Sequence, residues 1–232
     1  MPHAIVIFGA SGDLTQRKLI PALYRLDCKG RLPQPTWIVG VARSEFTDEA
    51  WRNKLSESTA KFAGEEYDEE SWRSFAQKVH YHRGDVTSGE DMTGLAAYLD
   101  ELEAGEGCTR VYYLSTSPRL YEDAIAQLGA SNLAQQGSCP RRLVIEKPFG
   151  RDRQTSDALT HAMSDVFSEE QTYRIDHYLG KEVIQNLLVL RFANVVFEPL
   201  WSHDFVESVH IEWKEDIGLE GRGGYFDQYG II

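Results

Sequence analysis

The stretch "AIVIFGASGDL" (residues 4–14) decides the fold. Ala4 to Phe8 form a short apolar run rich in β-branched residues, as a buried strand requires, and Gly9 ends it. The segment "LTQRKLIPALYRL" (14–26) reads as a helix, and "TWIVGVA" (36–42) is again a buried-strand run. Strand, glycine turn, helix and second strand make a βαβ opening of the kind that binds dinucleotides. In that setting Gly9 permits the tight turn. The amides around Ala10, Ser11, Gly12, Asp13 and Leu14 lie near the positive end of the helix, where a pyrophosphate is stabilised. Measured against G-x-G-x-x-G, Ser11 replaces the second glycine and Leu14 the third. The plainer alternative is an ordinary strand-to-helix turn.

Outward from this unit, "KVHYHRGDV" (78–86), "RVYYLST" (110–116) and "RRLVIEKP" (141–148) supply a third, fourth and fifth strand. Helices are expected at 47–62, 69–78, about 90–104 and 119–135, with Trp51, Leu55, Phe62, Trp72 and Phe75 at helical spacing as core anchors. Strands alternating with helices predict an α/β fold with a Rossmann-type, doubly wound parallel sheet. Beyond the fifth strand the pattern changes. Helices near 152–167 and 180–192 precede "SVHIEWKED" (208–216), where Val209, Ile211 and Trp213 alternate with polar residues as in a strand with one wet face. The chain then ends on Ile231 and Ile232 with no polar tail, which reads as a sequence cut short.

Bulk properties narrow the function classes. Among the 232 residues, 36 acidic against 24 basic side chains give a net charge of −12, which argues against a general nucleic-acid or anionic-membrane surface. Any anion site must be local. Cys28, Cys108 and Cys139 are far apart and form no C-x-x-C pair, so neither a disulfide framework nor a zinc site is suggested, and a reducing cytoplasm fits. The apolar N-terminal run is too short for a signal peptide, and nothing downstream reads as a membrane span. His80 and His82 lack a third ligand at close spacing and read as structural; the acidic run "GEEYDEESW" (64–72) reads as solvated helix termini.

Two local features bear on chemistry. The end of the second strand distinguishes the nicotinamide dinucleotides, because NAD sites place an acid there for the ribose hydroxyls and a 2′-phosphate calls for arginine. Here "VARSEF" puts Arg43 first in line, which favours NADP, unless Arg43 is only solvated. The stretch "RIDHYLGKE" (174–182) gathers an acid, an imidazole and an ammonium. If it leads into a helix, His177 and Lys181 share a face and could close on one anion. Pairing of Lys181 with Asp176 or Glu182 is the alternative.

The segments "GASGDLTQRKLIPALY", "VIEKPFG", "RIDHYLGKE" and "GRGGYFDQYG", in this order over essentially the whole chain, resemble glucose-6-phosphate dehydrogenase. "RIDHYLGK" is far more specific than any glycine loop. The resemblance implies an NADP-binding Rossmann domain over 1–176. It also implies the start, over 177–232, of an α+β domain whose antiparallel sheet completes the substrate site and forms the interface of a homo-oligomer. It implies NADP-dependent oxidation of glucose 6-phosphate at C1 to 6-phosphoglucono-δ-lactone, the first step of the oxidative pentose phosphate pathway. Carried over, His177, Tyr178 and Lys181 match the clamp on the sugar phosphate, and Lys18 and Lys147 match lysines that reach towards cofactor and reacting sugar. Pro148 restricts Lys147 to an extended conformation. Glu215 matches an acid on the sugar hydroxyls, Tyr121 and Arg43 match cofactor contacts, and Asp176 matches the carboxylate that orients the catalytic histidine. In the family that histidine follows in a later helix, and Ile232 precedes it. General-base catalysis contributes roughly 10²- to 10⁴-fold, so at most trace turnover is expected of this chain. A noncatalytic NADP-binding module, or another sugar dehydrogenase carrying "EKP", are the competing readings.

Overall fold

In the computed structural model, six strands form one sheet: β1 (His3–Phe8), β2 (Thr36–Ala42), β3 (Val79–Arg83), β4 (Thr109–Leu114), β5 (Arg141–Glu146) and β6 (Thr172–Ile175). Their order is β3-β2-β1-β4-β5-β6. β1 pairs in parallel with both β2 and β4, and β3 and β5 extend the ladder in parallel on either side. The helices are α1 (Ile20–Cys28), α2 (Asp48–Ala63), α3 (Glu69–Ala76), α4 (Gly89–Leu102), α5 (Tyr121–Ala130), α6 (Arg153–Ser164) and α7 (Glu182–Phe192). The structure describes residues 2–104, 107–176, 178–210, 212 and 227. The chain divides into two units, Met1–Arg174 and Ile175–Ile232.

Because parallel crossovers are right-handed, reversing the direction in which strands are added moves the connecting helices to the opposite face. The chain steps from β1 outward to β3, then returns past β1 to β4. Accordingly Ile20 and Tyr24 of α1, Trp51 and Leu55 of α2, and Trp72 and Phe75 of α3 pack with Ile7, Ile38 and Tyr81 on one face. Leu95 of α4, Ile125 of α5 and Met163 of α6 pack with Val6, Val39, Tyr112 and Leu143 on the other. Helix starts are signalled by side chains that accept a first-turn amide: Thr47, Asp68, Ser88 and Asp152.

The edge at β3 is closed by α2. Asp48 Oδ1 accepts the Tyr81 amide at 2.7 Å, and Arg52 Nε donates to the Val79 carbonyl at 2.7 Å, filling bonds that a further strand would otherwise make. His80 faces Asp48 at 3.5 Å and His82 stacks on Tyr98 at 5.0 Å, both structural placements. Among the described residues no group of three or more His, Cys, Asp or Glu could hold a metal ion. In the acidic run, Glu66 reaches Arg25 and Lys29 of the α1 segment, Asp68 caps α3, and Glu65, Glu69 and Glu70 are exposed.

Three expectations change. The helix after the glycine turn is not uniform: Thr15–Leu19 is a π turn, closed by the Ile20 amide on the Thr15 carbonyl. Pro21 explains it, since a proline has no amide to give and its ring collides with the carbonyl four residues back in a regular α-helix; the wider turn relieves both. Second, β6 was not legible, because Tyr173 and Arg174 are exposed and lack a buried run. Third, residues 208–210 and 212 have no strand assignment, and the rest of the expected strand at 208–216 lies outside the described residues. The only sheet among the described residues is the six-stranded one.

In the second unit, α7 spreads its apolar residues around the helix without a distinct apolar face and buries none of its residues; Val183 is 77% exposed and Phe192 59% exposed. No helix among the described residues is long and apolar enough to cross a membrane.

Gly40 in β2 has a packing reason. A Cβ there would lie 2.2 Å from the indole of the buried Trp51 and 2.8 Å from the Ala10 Cβ. Gly40→Ala is therefore expected to cost about 1–3 kcal/mol in urea unfolding, whereas unchanged stability would show that α2 can shift without penalty.

Candidate functional site

Ligands of open parallel sheets bind beyond the carboxyl ends of the strands where the strand order reverses, here between β1 and β4. The residues emerging at that point are closely packed. Gly9 follows β1 with φ +86°, and a Cβ on it would lie 2.3 Å from the Ser115 carbonyl oxygen that follows β4. Only glycine tolerates both the dihedral and the approach. The Gly9 and Ala10 amides donate to the Val41 carbonyl at 2.9 and 3.2 Å, and the Gly12 amide donates to the Gly9 carbonyl at 2.9 Å. Thr15, buried in the π turn, donates its hydroxyl to the same Gly9 carbonyl at 3.1 Å and lies 3.4 Å from the Ser115 hydroxyl.

These bonds leave the amides of Ser11, Asp13 and Leu14 at the positive end of the helix as donors for an anion. Gln16 Nε2 donates to the Ser11 carbonyl at 2.8 Å, which occupies that acceptor within the loop. Arg17 pairs with Asp13 at 2.8 Å and offsets the charge of that carboxylate. Thr116 adds a buried hydroxyl oxygen with no partner, beside Gly9, which suits a further hydrogen bond to a bound group. The donor set therefore fits a dinucleotide pyrophosphate.

Arg43 stands immediately after β2, 81% exposed, with its guanidinium 3.8 Å from Asp85. Glu45, two residues further on, pairs with Arg83 at 2.7 Å. Tyr81 donates its hydroxyl to the Ser44 carbonyl at 2.6 Å and lies 3.1 Å from the Ala42 carbonyl, holding the loop that carries Arg43.

Beyond β5 the sequence Glu146-Lys147-Pro148 is braced from below. Tyr113 donates to the Glu146 carboxylate, and Tyr121 donates to the Glu146 carbonyl at 3.3 Å. Burial, then the bond to Glu146, pushes the Tyr113 phenol well above its usual range. Lys147 is exposed next to this brace and joined to Pro148 by a cis peptide bond. Tyr121, expected as a cofactor contact, is 1% exposed at the start of α5 and packs in the hydrophobic core. Lys18 is exposed within the π turn.

In the second unit, Lys181 stands ahead of the helix, and His177, expected to share a helical face with it, lies outside the described residues. Residues 178–180 turn, Lys181 precedes the helix with an extended backbone (ψ 133°), and α7 begins only at Glu182. The turn has its own bonds. Asp176 Oδ1 accepts the Tyr178 amide at 3.1 Å, and the Asp176 carbonyl accepts the Leu179 amide at 3.0 Å. The Lys181 ammonium lies over the Tyr178 ring, 4.3 Å from its centroid, and forms no ion pair among the described residues. Asp176, Tyr178 and Lys181 are thus gathered by a turn instead of by helical spacing. His177 and Glu215 lie outside the described residues.

Thr15, Ser115, Thr116, Tyr113 and Glu146 were not singled out from the sequence. Their signal was positional: each lies at the carboxyl end of β1, β4 or β5, or in the turn that follows.

Comparison with known proteins bears on the whole arrangement. Residues 6–186 match the family model described as glucose-6-phosphate dehydrogenase, NAD binding domain, and residues 188–232 match the C-terminal domain model of the same family. The first of these indicates a nicotinamide dinucleotide as the cofactor class. Glucose-6-phosphate 1-dehydrogenase 1, chloroplastic, of Arabidopsis thaliana is 44% identical over 99% of this chain and 40% of its own length. The Aggregatibacter actinomycetemcomitans glucose-6-phosphate 1-dehydrogenase is 46% identical over 98% of this chain and 46% of its own. A solved structure described as glucose-6-phosphate dehydrogenase in complex with its substrate glucose-6-phosphate superposes with a TM-score of 0.86 at 38% identity. It covers 97% of this chain and 47% of that one. The chain spans under half the length of these relatives. Neither competing reading, a bare nucleotide-binding module or another sugar dehydrogenase, is favoured by matches that run through "RIDHYLGKE" into the second domain model. Parallel sheet, glycine crevice and matched length together place this chain in the glucose-6-phosphate dehydrogenase family.

Proposed function

We propose that this chain forms the NADP-binding part, with the start of the substrate-binding part, of an oxidoreductase that converts glucose 6-phosphate at C1 to 6-phosphoglucono-δ-lactone. That reaction opens the oxidative pentose phosphate pathway. The observation that carries the reading is the Gly9–Ser115 crevice, with Arg43 exposed one strand away and its neighbouring Glu45 engaged elsewhere. When bound, the nicotinamide ring supplies the hydride acceptor. The amides of Ser11, Asp13 and Leu14 would hold the pyrophosphate, and Arg43 would take the 2′-phosphate as a charge-assisted pair.

On the sugar side, Tyr178 and Lys181 supply a phenol and an ammonium already turned together, fit for a phosphate, with His177 between Asp176 and Tyr178 in sequence. Asp176 is the candidate for orienting the catalytic histidine, and Glu215 for the sugar hydroxyls. Lys18 and Lys147 are the candidates for reaching cofactor and reacting sugar, and the residue before Lys147 is held by the tyrosine brace on Glu146. Three free thiols, of which burial pushes Cys108 up to about 12, suit a reducing compartment such as the cytoplasm. For an intact protein of this family we propose a homo-oligomer.

Calorimetric titration of the 232-residue chain with NADP and with NAD tests the cofactor assignment. Saturable binding that prefers NADP is expected, and equal affinities would contradict the role of Arg43. Gly9→Ala, forced into a left-handed backbone against the Ser115 carbonyl, is expected to weaken NADP by about tenfold or more, and full-strength binding would remove the crevice from the site. The phosphate clamp is tested with glucose 6-phosphate against glucose on the NADP-saturated protein. The phosphate should be worth roughly tenfold or more in affinity, and Lys181→Ala should erase most of that difference; indifference to the phosphate would refute the clamp.

A further inference from the structure

Asp85 is the charged neighbour of Arg43 that the proposed site leaves without a role. It follows β3, the strand beside β2, and its Oδ2 lies 3.8 Å from the Arg43 guanidinium. The carboxylate is fixed by a turn of its own: Oδ1 accepts the Thr87 amide at 3.0 Å and the Thr87 hydroxyl at 2.8 Å. The Asp85 amide donates to Asp91 Oδ2 at 2.7 Å, which ties the turn to α4. The Thr87 amide and hydroxyl, and then Arg43, hold the Asp85 carboxyl below its usual range, so it is ionised at neutral pH. Glu45, the acid closest to Arg43 in sequence, is already taken by Arg83.

We propose that Asp85 is a specificity-determining residue, a fixed counter-ion that competes with the ribose 2′-phosphate for Arg43 and so sets how strongly the site prefers NADP over NAD. The inference rests on the reading of Arg43 as the 2′-phosphate ligand. With NADP, the incoming phosphate must share the guanidinium with a carboxylate that cannot swing away, because its other oxygen is held by Thr87. With NAD, the Arg43–Asp85 pair stays intact and no cation is left unpaired. Asp85 therefore narrows the discrimination that Arg43 alone would produce. As the pair is exposed, the coupling is modest and falls with salt.

The test uses the whole chain with adenosine 2′,5′-bisphosphate and adenosine 5′-monophosphate as probes, which differ only in the 2′-phosphate. Asp85→Asn keeps an oxygen for the Thr87 bonds and removes the charge, and Asp85→Ser can keep the same turn bond. Both variants are expected to tighten the bisphosphate by about three- to tenfold at low salt, less at high salt, and to leave the monophosphate unchanged. Arg43→Ala is expected to weaken the bisphosphate alone. If Arg43→Ala does so but neither Asp85 variant tightens it, the competition is wrong while Arg43 keeps its role. If Arg43→Ala leaves the two probes as wild type does, the Arg43 reading fails and the inference fails with it. Equal tightening of both probes would also overturn it, since a general change in the loop does not recognise a 2′-phosphate.

Discussion

The close approach of Gly9 to the Ser115 carbonyl is the constraint on which the site depends. It brings the turns after β1 and β4 within van der Waals reach at the point where the strand order reverses. Any side chain at Gly9 would wedge those turns apart. The Thr15 hydroxyl then bonds the Gly9 carbonyl, and the Gly12 amide bonds it as well, so one peptide group organises the loop. Since Thr15 sits in the π turn that accommodates Pro21, the interruption in the helix and the shape of the loop are parts of one local solution.

The sheet supplies the rigidity that this geometry needs. Two buried clusters, one on each face, hold β1 between β2 and β4, and the aromatic groups Tyr24, Trp51, Trp72 and Phe75 fill the face beneath the glycine turn. Gly40 is small because Trp51 lies against it, so the tryptophan that anchors α2 also restricts the strand that ends at Arg43. At the edge, Asp48 and Arg52 bond β3 from the side, and the parallel pairing of β2 with β3 brings the loop bearing Asp85 next to the loop bearing Arg43. In the proposed reading, specificity for the adenosine end of the cofactor rests on these two charges at adjacent strand ends.

Much of this was legible in the residues. The first five strands, the main helices and the glycine turn followed from apolar runs, helical spacing and Gly9, because those signals are local. β6 was not legible, since an edge strand with exposed Tyr173 and Arg174 has no buried run to betray it. The turn at Tyr178–Gly180, which leaves Lys181 ahead of the helix, was not legible either. Spacing alone cannot reveal that an aspartate side chain will take a backbone amide and postpone the helix to Glu182. The brace of Tyr113 and Tyr121 on Glu146 and the contact of Asp85 with Arg43 join residues from different strands. Such pairs become visible only once the register is known.

Amide hydrogen exchange of the chain with and without saturating NADP tests the central claim most directly. Slowed exchange over Gly9–Leu14, where the amides of Ser11, Asp13 and Leu14 would bond the pyrophosphate, together with protection in the turn after β4, is the predicted result. Protection confined to other parts of the sheet, with residues 9–14 exchanging as before, would contradict the placement of the cofactor at the reversal between β1 and β4.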